Sequence, residues 1–175
     1  MTKDSSPGIE RWIEETSAFD RVRSVAFALQ EPRTAGQIAD SAHVSEKTAR
    51  GHLRRLVEMD VLLEDTEDGP TTYYPDPGYM RYREVRTLAR ENDRDELTEL
   101  VATLKIDIDD WQTEYDVETA EELRVSVTDA DVSEAEVYER QKVAEDWEYT
   151  EHRLDLIRDA LAQYDQLTAR PPATA

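Results

Sequence analysis

Two stretches in the second half of the chain repeat apolar residues at alternating spacings of three and four. One runs from Leu97 to Tyr115 and the other from Trp147 to Tyr164. Because an α-helix has 3.6 residues per turn, this spacing places each set along one helix face and favours packing against another helix. We call these two faces the seams and predict that they form a dimerisation surface built from Leu97, Val101, Leu104, Ile108, Trp111, Tyr115, Trp147, Leu154, Ile157, Leu161 and Tyr164.

The two seam-bearing helices are predicted at about 78–115 and 133–167, with a connector between them. Tyr82, Val85 and Leu88 follow a different phase from the first seam, which predicts a break near Asn92-Asp93. The pair could fold back as an antiparallel hairpin within one chain. We expect association with a second chain instead, because the seam tryptophans and tyrosines exceed what one hairpin readily covers.

The first 77 residues carry a different pattern. Apolar residues at helical spacing predict a short helix near 9–13, after a leader at 1–8, and a second helix over 17–30. Thr34 and Gln37 form a capping box that predicts a helix over 34–42, and Ser45 is a good N-cap for the next helix.

A short apolar strand, Val61 to Leu63, follows these helices. The turn residues Asp68-Gly69-Pro70 and a β-prone run, Thr71 to Tyr74, complete a predicted hairpin. The fold class is therefore mainly α with a small β-hairpin. We predict a domain over residues 1–77 and a helical dimerisation region over 78–170.

The helix that opens at Ser45 is the main candidate for function. Its apolar residues Ala49, Leu53, Leu56 and Val57 share one face, so the opposite face is free to carry charge. Arginine and lysine on such a face could contact phosphates and base edges of duplex DNA. The candidate DNA-contacting residues are Arg33, Ser45, Lys47, Thr48, Arg50, Gly51, His52, Arg54, Arg55 and Thr72.

Charge distribution supports this interpretation. The chain has 41 acidic and 21 basic residues, a net charge of −20. Residues 17–60 hold seven basic and six acidic residues, a net charge of +1, so the rest of the chain carries −21. High acidity with scarce lysine resembles proteins of salt-in halophilic archaea, in which molar salt screens the self-repulsion.

Three segments together resemble the winged helix-turn-helix of the ArsR/MarR-like superfamily: residues 34–40, 44–56 and 61–63. The whole chain is similar to a haloarchaeal group of such regulators, in which a helical C-terminal extension follows a Tyr-x-Pro-Asp-Pro linker, here 73–77. The resemblance implies a dimeric DNA-binding transcriptional regulator whose DNA-facing positions match Ser45, Lys47, Thr48, Arg50, Gly51 and His52.

Two positions depart from that pattern. Asp60 stands where the family usually has glycine, although aspartate tolerates the positive φ that the turn requires. The predicted wing carries Glu64, Asp65, Glu67 and Asp68, which would repel phosphate. We therefore expect DNA contact from the helix that opens at Ser45. At the wing, either Thr71, Thr72 and Tyr73 at its base make any contacts, or the wing stays away from DNA.

Other function classes receive little support from the sequence. The three histidines are scattered, no nucleotide-binding or metalloprotease motif is present, and cysteine is absent. We predict no enzyme activity, no catalytic residues, no metal and no cofactor, and a cytoplasmic chain without a membrane segment. The partners expected are double-stranded DNA and a second copy of the chain. A cavity near Trp111 or Trp147 could hold an unknown small effector, but we assign these two residues to the core in preference.

The main rival is a winged-helix adaptor that docks onto another protein and does not bind DNA specifically. Arg50 and Arg54 separate the two interpretations, because replacing them with alanine should abolish DNA retention but leave the dimer intact. For the DNA-binding interpretation we expect a shallow salt dependence, since counterion release contributes little to affinity in molar salt.

Overall fold

The computed structural model describes residues 7–67, 69–127 and 133–169. These residues are mainly helical and include a small three-stranded antiparallel sheet, which confirms the coarse fold class. Most of the predicted leader, Asp68 of the predicted turn and the tail after residue 169 lie outside the described residues. The chain divides into two compact units, Met1–Met80 and Arg81–Ala175, which are described separately.

The described part of the first unit begins with four helices. They are α1 (Pro7–Glu15), α2 (Ala18–Phe27), α3 (Ala35–Ala42) and α4 (Glu46–Glu58). Ser17, Thr34 and Ser45 cap the last three by accepting a backbone N–H bond three residues on, as their side chains favour. The capping box predicted at Thr34 and Gln37 is confirmed.

Two of the predicted helix boundaries in this unit were wrong. Helix α1 begins at Pro7, inside the segment predicted as a leader, because proline is well tolerated in the first turn of a helix. Helix α2 ends at Phe27 rather than near Gln30. Ala28 closes it by donating backbone hydrogen bonds to the carbonyls of Val25 and Ala26, which frees the chain to reach the sheet.

The sheet consists of β1 (Arg33–Thr34), β2 (Leu62–Asp65) and β3 (Thr72–Pro75), in the order β1-β3-β2. The predicted hairpin is present, with each strand beginning one residue later than predicted. Strand β1 was missed, because two residues are too few to show the alternation that identifies a strand. It pairs with β3, where Thr34 lies opposite Thr72.

The core of the first unit is built from side chains of both its helices and its sheet. Its most buried side chains include Ile38 of α3, Leu53 of α4 and Leu62 of β2. His43 ends α3 and Asp60 follows α4, both in left-handed conformation with φ near 50°. The positive φ predicted for Asp60 is thereby confirmed.

Arg21 is a buried cation that sequence reasoning did not single out. Its guanidinium donates hydrogen bonds to three backbone carbonyls, those of Ile13, Thr16 and Ala42, at 3.1, 2.6 and 3.0 Å. A buried charge needs such hydrogen bonds to offset its desolvation. Arg21 therefore ties α1 and α3 to α2.

The described part of the second unit is also helical. They are α5 (Pro77–Glu91), whose first turn belongs to the first unit, α6 (Arg94–Tyr115), α7 (Ala120–Ser126), α8 (Glu134–Ala162) and α9 (Tyr164–Thr168). The break predicted near Asn92-Asp93 is confirmed, with Asp93 capping α6. The last predicted helix is instead two helices, because the chain leaves α-helical geometry at Gln163.

The two seams pack against each other within one chain. Leu97 near the start of α6 lies in a cluster with Ile157 near the end of α8, while Trp111 and Trp147 share a second cluster. Helices α6 and α8 therefore run antiparallel. Leu97, Trp147, Leu154 and Ile157 are at most 5% exposed in the single chain, so in this arrangement their side chains have little surface left for a partner.

None of the helices in the described part of the chain combines the length and the hydrophobicity of a membrane-spanning segment.

Candidate nucleic-acid interface

Helix α4 presents one buried and one exposed face. Ala49, Leu53 and Leu56 lie in the core of the first unit. The helix begins at a cap in which the backbone N–H of Thr48 donates to Ser45 Oγ at 3.1 Å. Because the apolar stripe faces inward, the side of the helix opposite it is turned to solvent.

Four residues on the exposed side share one face. Lys47, Arg50, Gly51 and Arg54 follow one another at spacings of three, one and three, and all four are exposed. We call this set the α4 stripe. The structure thus brings together three of the predicted cations and the glycine along about two turns of helix.

The cations of the α4 stripe differ in their partners. Arg50 forms an ion pair with Glu46, one turn earlier, with 2.5 Å between Nη2 and Oε1. Among the described residues, Lys47 and Arg54 form no ion pair. The Arg50 pair is exposed on both sides, and such pairs contribute little to stability. Arg50 can therefore exchange Glu46 for another anion at small cost.

Gly51 has no packing role within the described structure. A Cβ added there would meet no atom within 4 Å outside its own helical turn. Glycine inside a helix costs about 1 kcal/mol relative to alanine. The contacts of the chain itself do not explain this cost, whereas close approach of another molecule to the middle of the α4 stripe would.

Phe19 of α2 supports the flank of α4. The His52 ring lies edge-on to the Phe19 ring, with centroids 5.5 Å apart, and the Arg55 guanidinium lies 5.6 Å from the same ring. Arg23 of α2 approaches that ring at 5.8 Å. Two predicted DNA-contacting residues are therefore held beside the α4 stripe by a side chain of α2 that sequence reasoning did not single out.

The remaining predicted residues lie at the start of α4 and in the sheet. Thr48 is half-buried, with its hydroxyl 2.8 Å from that of Ser45. Arg33 lies in β1, where it pairs with Glu31 at 3.0 Å. Thr72 lies in β3, opposite Thr34 on one side and Asp65 on the other. Ser45 and Thr48 thus adjoin the α4 stripe, whereas Arg33 and Thr72 belong to neighbouring strands.

Tyr73 links the hairpin to the α4 stripe electrostatically. Burial raises the pKa of its phenol, and the carboxylate of Glu64 raises it further. The charges of Arg50 and Arg54 act in the opposite direction on the same pKa. The charges of Glu64 and of two cations of the α4 stripe therefore all affect the pKa of one phenol, which is 7% exposed.

The hairpin tip retains the acidic character predicted for it. Glu64, Asp65 and Glu67 are all exposed, and the Asp65 carboxylate accepts a hydrogen bond from the backbone N–H of Glu67 at 2.9 Å. An anionic tip beside a cationic helix restricts where a polyanion can lie. Any phosphate contact on this unit would concentrate on the α4 stripe and avoid the tip.

Metal binding and an effector cavity receive no support from the described geometry. No group of three or more histidine, aspartate or glutamate side chains suited to a metal ion occurs within the described ranges. Trp111 and Trp147, the predicted lining of an effector cavity, pack on each other with centroids 5.8 Å apart. Trp147 is fully buried, and its indole N–H donates to Glu151 at 3.1 Å.

The fold and this surface together define a mainly helical protein in which one small unit exposes a cationic helix face on an otherwise acidic chain. The chain belongs to a family of unknown function, DUF7342, whose model matches residues 16–166. Comparisons with curated proteins and with solved structures found no match.

Proposed function

We propose that this protein is a sequence-specific DNA-binding transcriptional regulator that acts as a dimer at high salt, with a winged helix-turn-helix as its first unit. One observation carries the proposal. The α4 stripe is an exposed cationic helix face with an unfilled glycine at its centre, on a chain whose net charge is −20.

The order of elements supports a helix-turn-helix reading of this unit. Helix α3, the left-handed turn at His43 and helix α4 follow one another directly, and an antiparallel hairpin comes next. In proteins of this kind the second helix enters the major groove and its side chains reach base edges. A helix is about 10–12 Å across with its side chains, which matches a groove about 12 Å wide.

The residues divide naturally between two roles in such a complex. Lys47 and Arg54 would contact base edges or phosphates, while Arg50 would leave Glu46 to do the same. Gly51 would allow the helix backbone to approach the duplex closely. His52 and Arg55, which rest on Phe19, would orient the helix and contact flanking phosphates.

The hairpin would remain away from the phosphates at its tip. Thr71 and Thr72 are only half-buried and would supply hydroxyl donors from its base. The dimer, in turn, would space two α4 helices about one DNA turn, roughly 34 Å, apart. Its interface would need surface other than the fully buried seam side chains, or an exchange of helices between chains.

A binding selection from random duplexes tests the proposal. In about 2 M KCl, where counterion release contributes little, wild type should enrich one duplex sequence. The variant Lys47→Ala/Arg54→Ala should bind that duplex roughly 10- to 100-fold more weakly. The control Lys105→Ala/Lys142→Ala removes the same charge from two exposed positions on α6 and α8 and should bind like wild type.

A failure to enrich any duplex sequence would favour the adaptor. If wild type enriches no sequence, and if a bound protein partner is retained equally by wild type and by Arg50→Ala/Arg54→Ala, the chain is an adaptor. Light scattering in the same buffer checks the oligomeric state, since the dimer requires twice the 20.2 kDa of one chain.

A further inference from the structure

Arg23 of α2 shares an aromatic ring with Arg55 of α4. The two guanidinium groups lie 5.8 and 5.6 Å from the centre of the Phe19 ring, and the His52 ring lies edge-on to it at 5.5 Å. We call these four residues the Phe19 cluster. All of them belong to the first unit, and Arg23 is the one member to which the proposed function gives no role.

Phe19 is a fixed support for the two arginines. Its ring is half-buried and packs against the core of the first unit. An arginine that rests on an aromatic ring has fewer side-chain conformations to lose when it binds an anion. The Phe19 cluster therefore holds two guanidinium groups, one from each helix, in position before a ligand binds.

The Phe19 cluster has more positive than negative charge around it. Asp20 is the carboxylate that pairs with Arg23, at 3.3 Å, and both side chains are about half exposed. Exposed pairs of this kind contribute little to stability. Within the part of the chain that the structure describes, Arg55 forms no ion pair. Arg23 can thus exchange Asp20 for another anion at small cost, and Arg55 has no carboxylate to release.

The helix dipole does not account for both arginines. A cation in the last turn of a helix interacts favourably with the dipole, and Arg55 lies in the last turn of α4. Arg23 precedes the last turn of α2, and the dipole effect falls off within one turn. The dipole thus favours a cation at Arg55 but gives no reason for one at Arg23.

The Phe19 cluster borders the α4 stripe. His52 and Arg55 each follow a stripe residue, Gly51 and Arg54, by one position, which is about 100° around the helix. They therefore lie on the flank of α4 that contacts α2. When a helix occupies the major groove, its flanks face the phosphate strands that border the groove, and in helix-turn-helix proteins a second helix crosses the DNA backbone.

We propose that Arg23, beside Arg55, binds a backbone phosphate of the duplex whose groove α4 occupies, an inference that rests on the proposed function. A planar guanidinium can donate two parallel hydrogen bonds to one phosphate, which a lysine ammonium cannot do. Asp20 would give up Arg23 to that phosphate. Because phosphates carry no sequence information, Arg23 would add affinity without changing which sequence is selected.

A double-mutant cycle between protein and DNA tests this contact. The DNA is the duplex that wild type selects, in which single phosphates are replaced in turn by an uncharged methylphosphonate. Arg23→Ala should bind the unmodified duplex roughly 3- to 10-fold more weakly, and one or two methylphosphonate positions should weaken wild type by a similar factor. At those positions the variant should lose no further affinity, because the contact is already absent.

Two further variants serve as controls. Arg11→Ala removes one exposed arginine and its ion pair with Glu15 from α1 of the same unit, and it should bind every duplex like wild type. Arg23→Lys keeps the charge but not the paired hydrogen bonds, so its affinity should lie between those of wild type and Arg23→Ala. Circular dichroism checks that each variant is folded.

Failure of this inference differs from failure of the function on which it rests. If wild type selects a sequence and Arg23→Ala binds it with unchanged affinity, or with a loss coupled to no methylphosphonate position, the phosphate contact is wrong and the function of α4 stands. Selection of a different sequence by Arg23→Ala would also overturn the contact, since it would show an effect on base recognition. If wild type binds no DNA, both proposals fall.

Discussion

The imidazole ring of His52 lies edge-on to the phenyl ring of Phe19, with centroids 5.5 Å apart and ring planes at 74°. This contact joins α4 to α2 at the flank of the α4 stripe. Since Arg55 rests on the same ring, one side chain of α2 holds two residues of α4. The direction in which the stripe points therefore depends on Phe19.

Replacing Phe19 with alanine should loosen α4. The ring is half-buried and makes one aromatic and two cation–π contacts, so we expect a loss of about 2 kcal/mol in the free energy of unfolding. Denaturant unfolding monitored by circular dichroism measures this loss. Phe19→Tyr, which keeps the ring, is the control; equal stability of wild type and Phe19→Ala would contradict the supporting role.

Replacing Gly51 with alanine should raise the stability of the protein but weaken its binding to DNA. The new methyl group meets nothing within the described chain, so the helix should gain roughly 0.5–1 kcal/mol. If a duplex approaches the helix at this point, the same methyl group should weaken DNA binding several-fold. Gly8→Ala places a methyl group in equally open space on α1 and should leave DNA binding unchanged.

Replacing Ser45 with alanine should lower the stability of the protein, whereas replacing it with aspartate should weaken DNA binding. Alanine removes the cap of α4 and should cost about 1 kcal/mol of stability. Aspartate also caps helices well and should preserve stability, but its charge at the start of α4 should repel phosphate. Thermal melts and duplex titrations of both variants check this, and unimpaired DNA binding by Ser45→Asp would exclude phosphate contact at this end.

Replacing Trp147 with alanine should destabilise the second unit by about 3–5 kcal/mol, because the ring is fully buried against Trp111. The loss should be the same at all protein concentrations if the seams belong to one chain. A melting temperature that rises with concentration in wild type but not in Trp147→Ala would instead place this ring in an intermolecular interface.

Stability should fall in alkaline solution partly through Tyr73. Burial raises the pKa of its phenol above the usual value of 10.0 in the folded state. A raised folded pKa stabilises the protein below pH 10 and loses that contribution as the pH rises through the folded value. Tyr73→Phe should therefore lose less stability than wild type between about pH 10 and pH 12 in melting experiments. Identical alkaline profiles would show that ionisation of Tyr73 does not contribute.

Local patterns were sufficient to predict most elements of the fold. Side chains that cap helices act within four residues, so Thr34 and Ser45 marked helix starts correctly. Strand β1 gave no such signal, because its two residues are a strand only through pairing with β3. The end of α2 at Phe27 likewise depends on where the chain must meet the sheet.

In the candidate interface, too, the local sequence predicted some features, and others depend on tertiary contacts. Apolar periodicity predicted which face of α4 is buried and hence which cations are exposed. It could not reveal that Phe19 supports His52 and Arg55, nor that Glu64 and Arg54 act on one phenol. Those relationships join residues far apart in sequence.

The amino-acid sequence by itself determined the helical character of this chain, its acidity and the cationic face of α4, because periodicity, charge and capping are properties of neighbouring residues. Only the tertiary structure decided what the seams contact. A heptad pattern requires an apolar partner but does not specify which one, and here the chain folds back so that α6 and α8 cover each other.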